Sequence, residues 1–397
     1  MGSLLKLRPL FTVVACLLLG APEGAGAQLP EGEPAHADGI VRLLTSRGFS
    51  NAGAVVDGQR LWVTLENTRY RDTRRALDEA AALLLPMLGD ARELVLVPTR
   101  DGVMLGKSVY SAAEGPDLAE RGGAASGSLS LAGVPPELIS AERAGRSFGR
   151  VDVVVHPWFE AAFGDYDNPI RSRGGVAPEV RVPLRTGLSL SAQVLFTLQD
   201  DLPTGESRVR PGLVTLNQAV RLPRNVFVVA AAGLFTPNRY GADLHARAYS
   251  PDARWFAGGE VATTGLASFA REEWRLAPAA ERTALAEAGW RSTRQGLTVQ
   301  GTAGTFLRDQ KGVRMDVVRQ FGEVDLGWFV THTGQGTNAG ATLRIPLGVA
   351  KHPRPGPLRV RLADAFHWEY RYYGFVPGGR RFRTGRTMDD FARWMGP

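Results

Sequence analysis

The feature that most constrains the fold of this chain is a long series of runs between 151 and 348 in which apolar and polar residues alternate. About twelve runs of about 9 to 14 residues follow one another without a convincing helix between them. In the clearest run, 188–199, Leu190 and Val194 belong to one face and Ser191 belongs to the other. Because successive side chains of a strand point to opposite faces, this pattern predicts strands with one apolar and one polar face.

The lengths of the runs and of their connections favour a membrane barrel. A tilted strand of about 9–11 residues crosses a bilayer, whereas strands of soluble sheets have about 5–6 residues. Short connections such as 185–187 and 294–296 alternate with mostly longer ones such as 165–173 and 264–282. Outer-membrane barrels alternate periplasmic turns and surface loops in this way. The sequence therefore predicts a mainly β chain with a transmembrane antiparallel β-barrel of about 12 strands; the alternative is a soluble sandwich or solenoid.

The first residues predict export. Lys6 and Arg8 precede an apolar run, and Ala25-Gly26-Ala27 offers small residues for cleavage before Gln28, as in a secretory signal peptide. Cys16, the single cysteine of the chain, lies inside this leader, so ordinary cleavage leaves a mature chain without disulfide or thiol chemistry. The rival interpretation is lipoprotein cleavage at Cys16. Either way, the predicted location is the cell outer membrane.

The rest of the chain divides by composition and pattern. Residues 39–111 mix helical spacing with strand alternation, with an Ala- and Leu-rich helix over 72–88 and a strand pair around Asp101-Gly102. The predicted segments are a signal peptide at 1–27, a linker at 28–38, a small α+β periplasmic domain at 39–111, a second linker at 112–150, the barrel at 151–348 and a basic C-terminal periplasmic tail at 349–397. An even number of strands returns the chain to its starting side, so domain and tail share the periplasm.

No pattern of catalytic or metal-binding residues stands out. The histidines lack metal-ligand spacing, and they are His36, His156, His245, His332, His352 and His367. Asp165 and Asp167 suit a paired-carboxylate site or a calcium site. They equally suit a turn rich in Asp, Asn and Pro. We therefore expect no enzyme, no metal and no cofactor. The net charge of +7 does not imply nucleic acid as a partner, because the chain is exported.

Charged residues on the polar faces form the candidate lumen lining. They are Asp243, His245, Arg247, Glu260, Glu287, Arg291, Arg314, Asp316, Glu323, Asp325 and Arg344. Two interpretations remain open: a self-satisfied charge network that fills the lumen, and a polar track for a hydrated ligand. The tail adds a basic cluster of Arg380, Arg381, Arg383 and Arg386, which predicts contact with an acidic polymer or with lipid head groups.

Three motifs carry a resemblance to a known family. Leu65 to Arg71, followed by an Ala-rich helix, resembles the amino-terminal motif of the YjbH-like (GfcD-type) family of outer-membrane proteins for exopolysaccharide and capsule biosynthesis. Phe163 to Pro169 resembles the early barrel motif of that family, with Ile170 where the family has Leu. Gly322 to Leu347 resembles its last strands, although this chain is much shorter and lacks much of the preceding Gly- and Asp-rich stretch.

The resemblance implies a barrel that assists export or assembly of an exopolysaccharide, without catalytic residues to transfer. The implied partners are an exopolysaccharide, outer-membrane lipid and periplasmic polysaccharide-export proteins. An acidic exopolysaccharide is among the polymers that this implies. The alternatives are a passive pore or structural outer-membrane barrel, and a secreted soluble polysaccharide-binding protein.

Overall fold

The structure is a computed structural model that describes residues 34–111, 126–140, 147–163, 170–202, 205–270, 273–292, 294–371, 379 and 381–394. The leader, Cys16, the motif residues 164–169 and Arg380 lie outside the described residues. The chain is mainly β, as predicted, and the strands of the described residues form two sheets. The helices are α1 (Pro34–Arg47), α2 (Thr73–Leu84), α3 (Pro136–Ser140) and α4 (Met388–Trp394). Within the described part of the chain, no helix is long and apolar enough to cross a membrane.

The smaller sheet and the first three helices form what we call the N-terminal unit. Its strands are β1 (Ser50–Asp57), β2 (Arg60–Glu66), β3 (Glu93–Arg100), β4 (Val103–Met104), β5 (Lys107–Ser111) and β6 (Ser126–Ser128). The strand order is β1-β2-β3-β5-β6, with β4 beside β3. Strands β2 and β3 are parallel, and α2 makes the crossover between them. Buried residues of both long helices, such as Leu44 and Leu77, join those of the sheet in one core.

Local chemistry sets the bounds of α2. The Asp72 side chain caps the helix by accepting a hydrogen bond from the Arg74 amide at 2.8 Å. The helix predicted over 72–88 ends at Leu84 and continues as a 3-10 turn through Met87, because Pro86 cannot donate to a helical hydrogen bond. Asp101 and Gly102 both have positive φ, 47° and 79°, as a tight turn requires, and the predicted strand pair around them is confirmed.

The larger sheet contains a meander of long antiparallel strands joined by hairpins. They are β7 (Val151–Phe163), β8 (Ile170–Arg185), β9 (Leu188–Asp200), β10 (Val209–Leu222), β11 (Val226–Phe235), β12 (Arg239–Tyr249), β13 (Trp255–Phe269), β15 (Glu281–Ser292), β16 (Leu297–Phe306), β17 (Gln310–Phe321), β18 (Val324–Thr333) and β19 (Gly336–Pro346). The short β14 (Trp274–Leu276) pairs only with β13 in the described residues.

Two further strands occupy the edges of this meander. Strand β20 (Leu358–Leu362) pairs in parallel with β7, and β21 (Ala365–Arg371) pairs antiparallel with β19. Only Ala363 and Asp364 separate β20 from β21. The amide of Ala363 donates to Val155 O at 2.9 Å, and the Asp364 carbonyl accepts from the Leu347 amide at 3.0 Å. The connection therefore bonds to both edges of the sheet.

Several predicted boundaries need correction. The basic tail at 349–397 contains β20, β21 and α4, and the connection at 264–282 is largely the extended hairpin of β13 and β14. The second linker, 112–150, includes β6 and α3, and the first includes the start of α1. The sorting of connections by length is weaker than predicted, because β18 and β19 are joined by Gly334 and Gln335 alone.

The N-terminal unit packs against one end of the large sheet. We call it the short-turn end, and its turns include 186–187, 223–225, 250–254 and 322–323. The Gly187 amide donates to Asp101 O at 2.7 Å, and the Leu129 amide donates to Pro251 O at 2.9 Å. Arg221 of β10 reaches Met104 O at 3.1 Å. The unit thus contacts several of these turns rather than a single strand.

Candidate functional site: the polar inner face of the large sheet

The two faces of the large sheet have opposite chemistry, and the buried face is the polar one. In β18, Val330 is 49% exposed, whereas the adjacent Thr331 is 1% exposed. In β9, Val194 is 40% exposed and Ser191 is 3% exposed, so the predicted faces of this strand are confirmed. Soluble sheets bury their apolar face and expose the polar one. This sheet does the reverse, and we call the buried polar face the inner face.

One ion-pair network lies on the inner face of β12, β15 and β16. Arg247 is 2% exposed and binds Glu287 with two hydrogen bonds, Nε to Oε1 at 2.7 Å and Nη2 to Oε2 at 2.9 Å. The His245 ring nitrogen also contacts this carboxylate, and Gln300 donates to it at 2.9 Å. The remaining Arg247 nitrogen, Nη1, donates to Asp389 in α4 at 2.9 Å. The carboxylate of Glu287 is therefore held from three sides.

A second network centres on Arg314 of β17. Its Nε and Nη2 donate to the Asp316 carboxylate at 2.9 and 2.7 Å, and its Nη1 lies 3.7 Å from Glu369 of β21. The guanidinium stacks on the ring of Phe329, 3.8 Å from the centroid, where a cation gains from the ring quadrupole. The network thus joins β17, β18 and β21 across the inner face.

The other predicted lining residues take separate positions. Asp243 and Glu260 are diagonal neighbours on β12 and β13, and Glu260 pairs with Arg381 at 3.0 Å. Asp325 and Arg344 face each other in register on β18 and β19. Arg291 lies opposite Thr298 near one end of β15. The structure thus brings together some members of the predicted row and disperses others.

Glu323 does not belong to the lining. It occupies the turn between β17 and β18, where its carboxylate pairs with Arg71 of the N-terminal unit and its carbonyl accepts from Arg344 at 3.1 Å. The strand predicted over 323–331 begins one residue too early, because Gly322-Glu323 forms a two-residue hairpin turn.

The predicted basic tail is not a single exposed basic surface. Arg381 pairs with Glu260, and Arg386 pairs with Asp101 of the N-terminal unit. The Arg383 backbone forms a two-way bridge with Thr236, at 2.8 and 3.1 Å, while its side chain is exposed. Two of the three described arginines of the predicted cluster therefore neutralise acids within the fold.

Further charged residues, outside the predicted lining, also lie on the inner face. Glu179 of β8 binds Arg181 at 2.6 and 2.9 Å and His156 at 2.8 Å. Towards the opposite end from the short turns, Arg173 and Arg210 share Glu206, and both guanidinium groups lie over the Trp158 ring. Alternation in β8 and β10 could have identified Glu179 and Arg210 as inner residues, but not their partners.

The amino-terminal motif attaches the N-terminal unit to the large sheet. The Arg71 side chain donates to Leu347 O at 2.8 Å, and its amide donates to Ala350 O at 3.1 Å. The Arg69 carbonyl accepts from the His352 amide at 2.7 Å, and Tyr70 lies under the Lys351 ammonium, 4.9 Å from the ring centroid. The amino-terminal motif therefore packs against residues 347–352 of the chain.

Glu66 of the same motif is a buried acid at this junction. Its carboxylate accepts from the amides of Asp101 and Gly102 at 3.0 and 3.2 Å and from Asn51. Burial, together with the nearby charge of Asp101, raises the pKa of Glu66 to about 7 despite these bonds. The Glu66–Asp101 pair thus links the motif to the turn that Arg386 binds. Among the described residues, no group of three or more His, Cys, Asp or Glu is arranged to hold a metal.

The fold and site define a class: a chain with a large antiparallel sheet, polar on its buried face and apolar on its exposed face, that carries a small helix-covered sheet at one end. The family model YjbH, described as exopolysaccharide biosynthesis protein YbjH, matches residues 20–342. The chain therefore belongs to this family, and the resemblance is confirmed. The match covers the N-terminal unit and the large sheet from β7 into β19, and β20 and β21 lie beyond it. No curated protein and no solved structure matches the chain.

Proposed function

We propose that this protein is a non-enzymatic outer-membrane β-barrel that assists export or assembly of an exopolysaccharide. The observation that carries the proposal is the reversed chemistry of the large sheet. Its exposed face is rich in large apolar side chains such as Val261, Val313 and Trp328, while ion pairs and amides fill its inner face. Lipid requires an apolar outer surface, and only a lumen can remain polar.

The strand pairing at the sheet edges supports closure into a barrel. Strands β7 and β19 are eleven strand spacings apart along the sheet, which is on the order of 50 Å if the sheet is flat. Yet β20 beside β7 and β21 beside β19 are joined by two residues, a step of about 10 Å at most. A flat sheet cannot satisfy both pairings. A barrel satisfies them and leaves no long free edge in the hydrocarbon region.

The position of the N-terminal unit supports a periplasmic orientation. In outer-membrane barrels the short turns face the periplasm and the longer loops face outward. The unit contacts the turns at 186–187 and 250–254 and pairs with Glu323 in a third turn. In this orientation the unit lies in the periplasm, where it would meet polysaccharide-export proteins.

The inner face favours a role in polymer handling over a passive pore. A passive pore has an open, water-filled lumen, whereas the inner face of this sheet carries paired charges around Glu287 and Arg314, and Arg247 also binds Asp389 of α4. A purely structural barrel remains the second candidate, because such networks also rigidify a fold. A secreted soluble protein would have to leave the apolar face in water, which disfavours it. Membership of the family adds the link to exopolysaccharide.

Deletion of the gene tests the function. We expect surface polysaccharide to decrease while permeability to small solutes hardly changes, because the proposed role is to assist a polymer and not to act as an open pore. Polymer at the cell surface and uptake of a small dye are measured together, with the full chain supplied in trans as the control. Unchanged polymer would contradict the export role and leave the structural barrel. A protein recovered in soluble fractions without detergent would contradict the barrel itself.

A further inference from the structure

The C-terminal segment, Gly379 and residues 381–394, lies along the inner face rather than outside the sheet. The Gly379 amide donates to the side chain of Gln310 in β17 at 2.9 Å. The ring of Phe382 stacks on Phe235 of β11, 5.3 Å between centroids. The Thr384 carbonyl accepts from Thr215 of β10 at 3.1 Å.

The segment crosses between distant strands. A Cβ at Gly379 would lie 3.3 Å from the Cβ of Thr331 in β18, and Thr384 touches β10. These strands are seven spacings apart, on the order of 34 Å along a flat sheet. Five residues of chain span about 18 Å at most. The segment is too short to follow the sheet between these strands. It therefore crosses the space that the curved sheet encloses.

Three ion pairs hold the segment, and each uses a charge that the inner face or the N-terminal unit presents. Arg381 neutralises Glu260 next to Asp243. Asp389 accepts a hydrogen bond from Nη1 of Arg247, the nitrogen that does not bind Glu287. Arg386 pairs with Asp101 of the N-terminal unit. The segment is thus complementary in charge to its surroundings at its start, middle and end.

The end of the segment is also anchored by apolar packing shared with the N-terminal unit. Met388 and Phe391 of α4 are 1% and 2% exposed. They belong to one cluster with Leu105 and Leu129 of the unit and with Phe227 of β11, among others. Movement of the N-terminal unit against the short-turn end would therefore disturb the anchor of the segment directly.

We propose that the C-terminal segment is an internal plug that closes the lumen, and that the N-terminal unit holds it in place through Asp101 and the shared apolar cluster. The inference rests on the proposed barrel and adds its regulation: passage of a polymer requires displacement of the segment. A partner that binds the N-terminal unit would act on the plug through these contacts.

Single-channel conductance of the full chain in planar lipid bilayers tests the plug. The double variant Arg381→Gln/Arg386→Gln removes two of the three ion pairs. We expect the fraction of time in a conducting state to rise at least about tenfold, which corresponds to about 1.4 kcal/mol of lost plug binding. Removal of residues 379–397 is expected to give persistent conductance.

Arg383→Gln is the control, because it makes the same type of substitution in the same segment at an arginine whose side chain is exposed. It is expected to leave conductance unchanged within about twofold. Heat-modifiable migration and insertion into bilayers are measured for every variant. Inserted, folded variants that stay as closed as the unaltered chain would overturn the plug. Failure of the unaltered chain to insert would instead contradict the barrel.

Discussion

Replacing Val194 with arginine is expected to destabilise the folded protein by about 2–4 kcal/mol in a bilayer, the cost of a cation near the midplane on a lipid-facing position. Val194 is 40% exposed on the apolar face of β9. The measurement is the free energy of unfolding in lipid vesicles, supported by the amount of folded protein in outer membranes.

Gln193→Arg provides the matched control one residue away. Gln193 lies in register with Glu179 of β8, which belongs to the inner face, so the new guanidinium enters a polar environment next to an acid. We expect a cost well below that of Val194→Arg. Equal costs for the two variants would show that both faces of β9 meet the same medium, and the assignment of an outer lipid-facing surface would then be wrong.

Arg247→Gln is expected to lower the free energy of unfolding by about 3–5 kcal/mol. The substitution removes the arginine of a buried, bidentate pair and leaves Glu287 without its main partner. The substitution also removes the bond to Asp389 of the C-terminal segment. The check is urea unfolding of the folded protein, with Arg254→Gln as the comparison. Arg254 forms an exposed pair with Asp252 at 3.6 Å, and its loss is expected to change stability by less than about 0.5 kcal/mol.

A second substitution distinguishes the effect of losing the ion pair on stability from the effect of losing side-chain volume. In the double variant Arg247→Gln/Glu287→Gln, no carboxylate is left uncompensated at position 287. We expect it to be more stable than Arg247→Gln alone, because removal of both charges costs less than removal of one. A double variant that is less stable than Arg247→Gln would contradict the role assigned to this pair.

Much of the large sheet follows from the sequence because strand alternation is a local property. The apolar set of β9 and the polar set around Ser191 can be counted directly along the chain. The same rule applies to Leu358, Val360 and Leu362, which are exposed, while Arg359 is buried between them. The predicted basic tail at 349–397 includes this region without a strand, so β20 was not predicted.

The partners on the inner face could not be predicted in the same way. The bond between Arg247 and Asp389 joins residues 142 positions apart, and it depends on the path of the C-terminal segment along the inner face. Nothing local to Asp389 distinguishes it from a surface residue of a short helix. Glu323 shows the reverse case, where local alternation continues into a turn and assigns an inner position to a residue that meets the N-terminal unit.

Cysteine labelling on intact cells tests the central claim, a barrel that crosses the outer membrane, most directly. Ser268 is exposed in the β13 hairpin far from the short turns, and Gln295 is exposed in the turn between β15 and β16 at the other end of the strands. The short turn at 186–187 is less suitable for labelling, because Thr186 lies close to Gly102 of the N-terminal unit. An impermeant thiol reagent is expected to label Ser268→Cys on intact cells and Gln295→Cys only after the outer membrane is permeabilised, with the unaltered chain as background. Equal labelling of both cysteines on intact cells would contradict the transmembrane barrel.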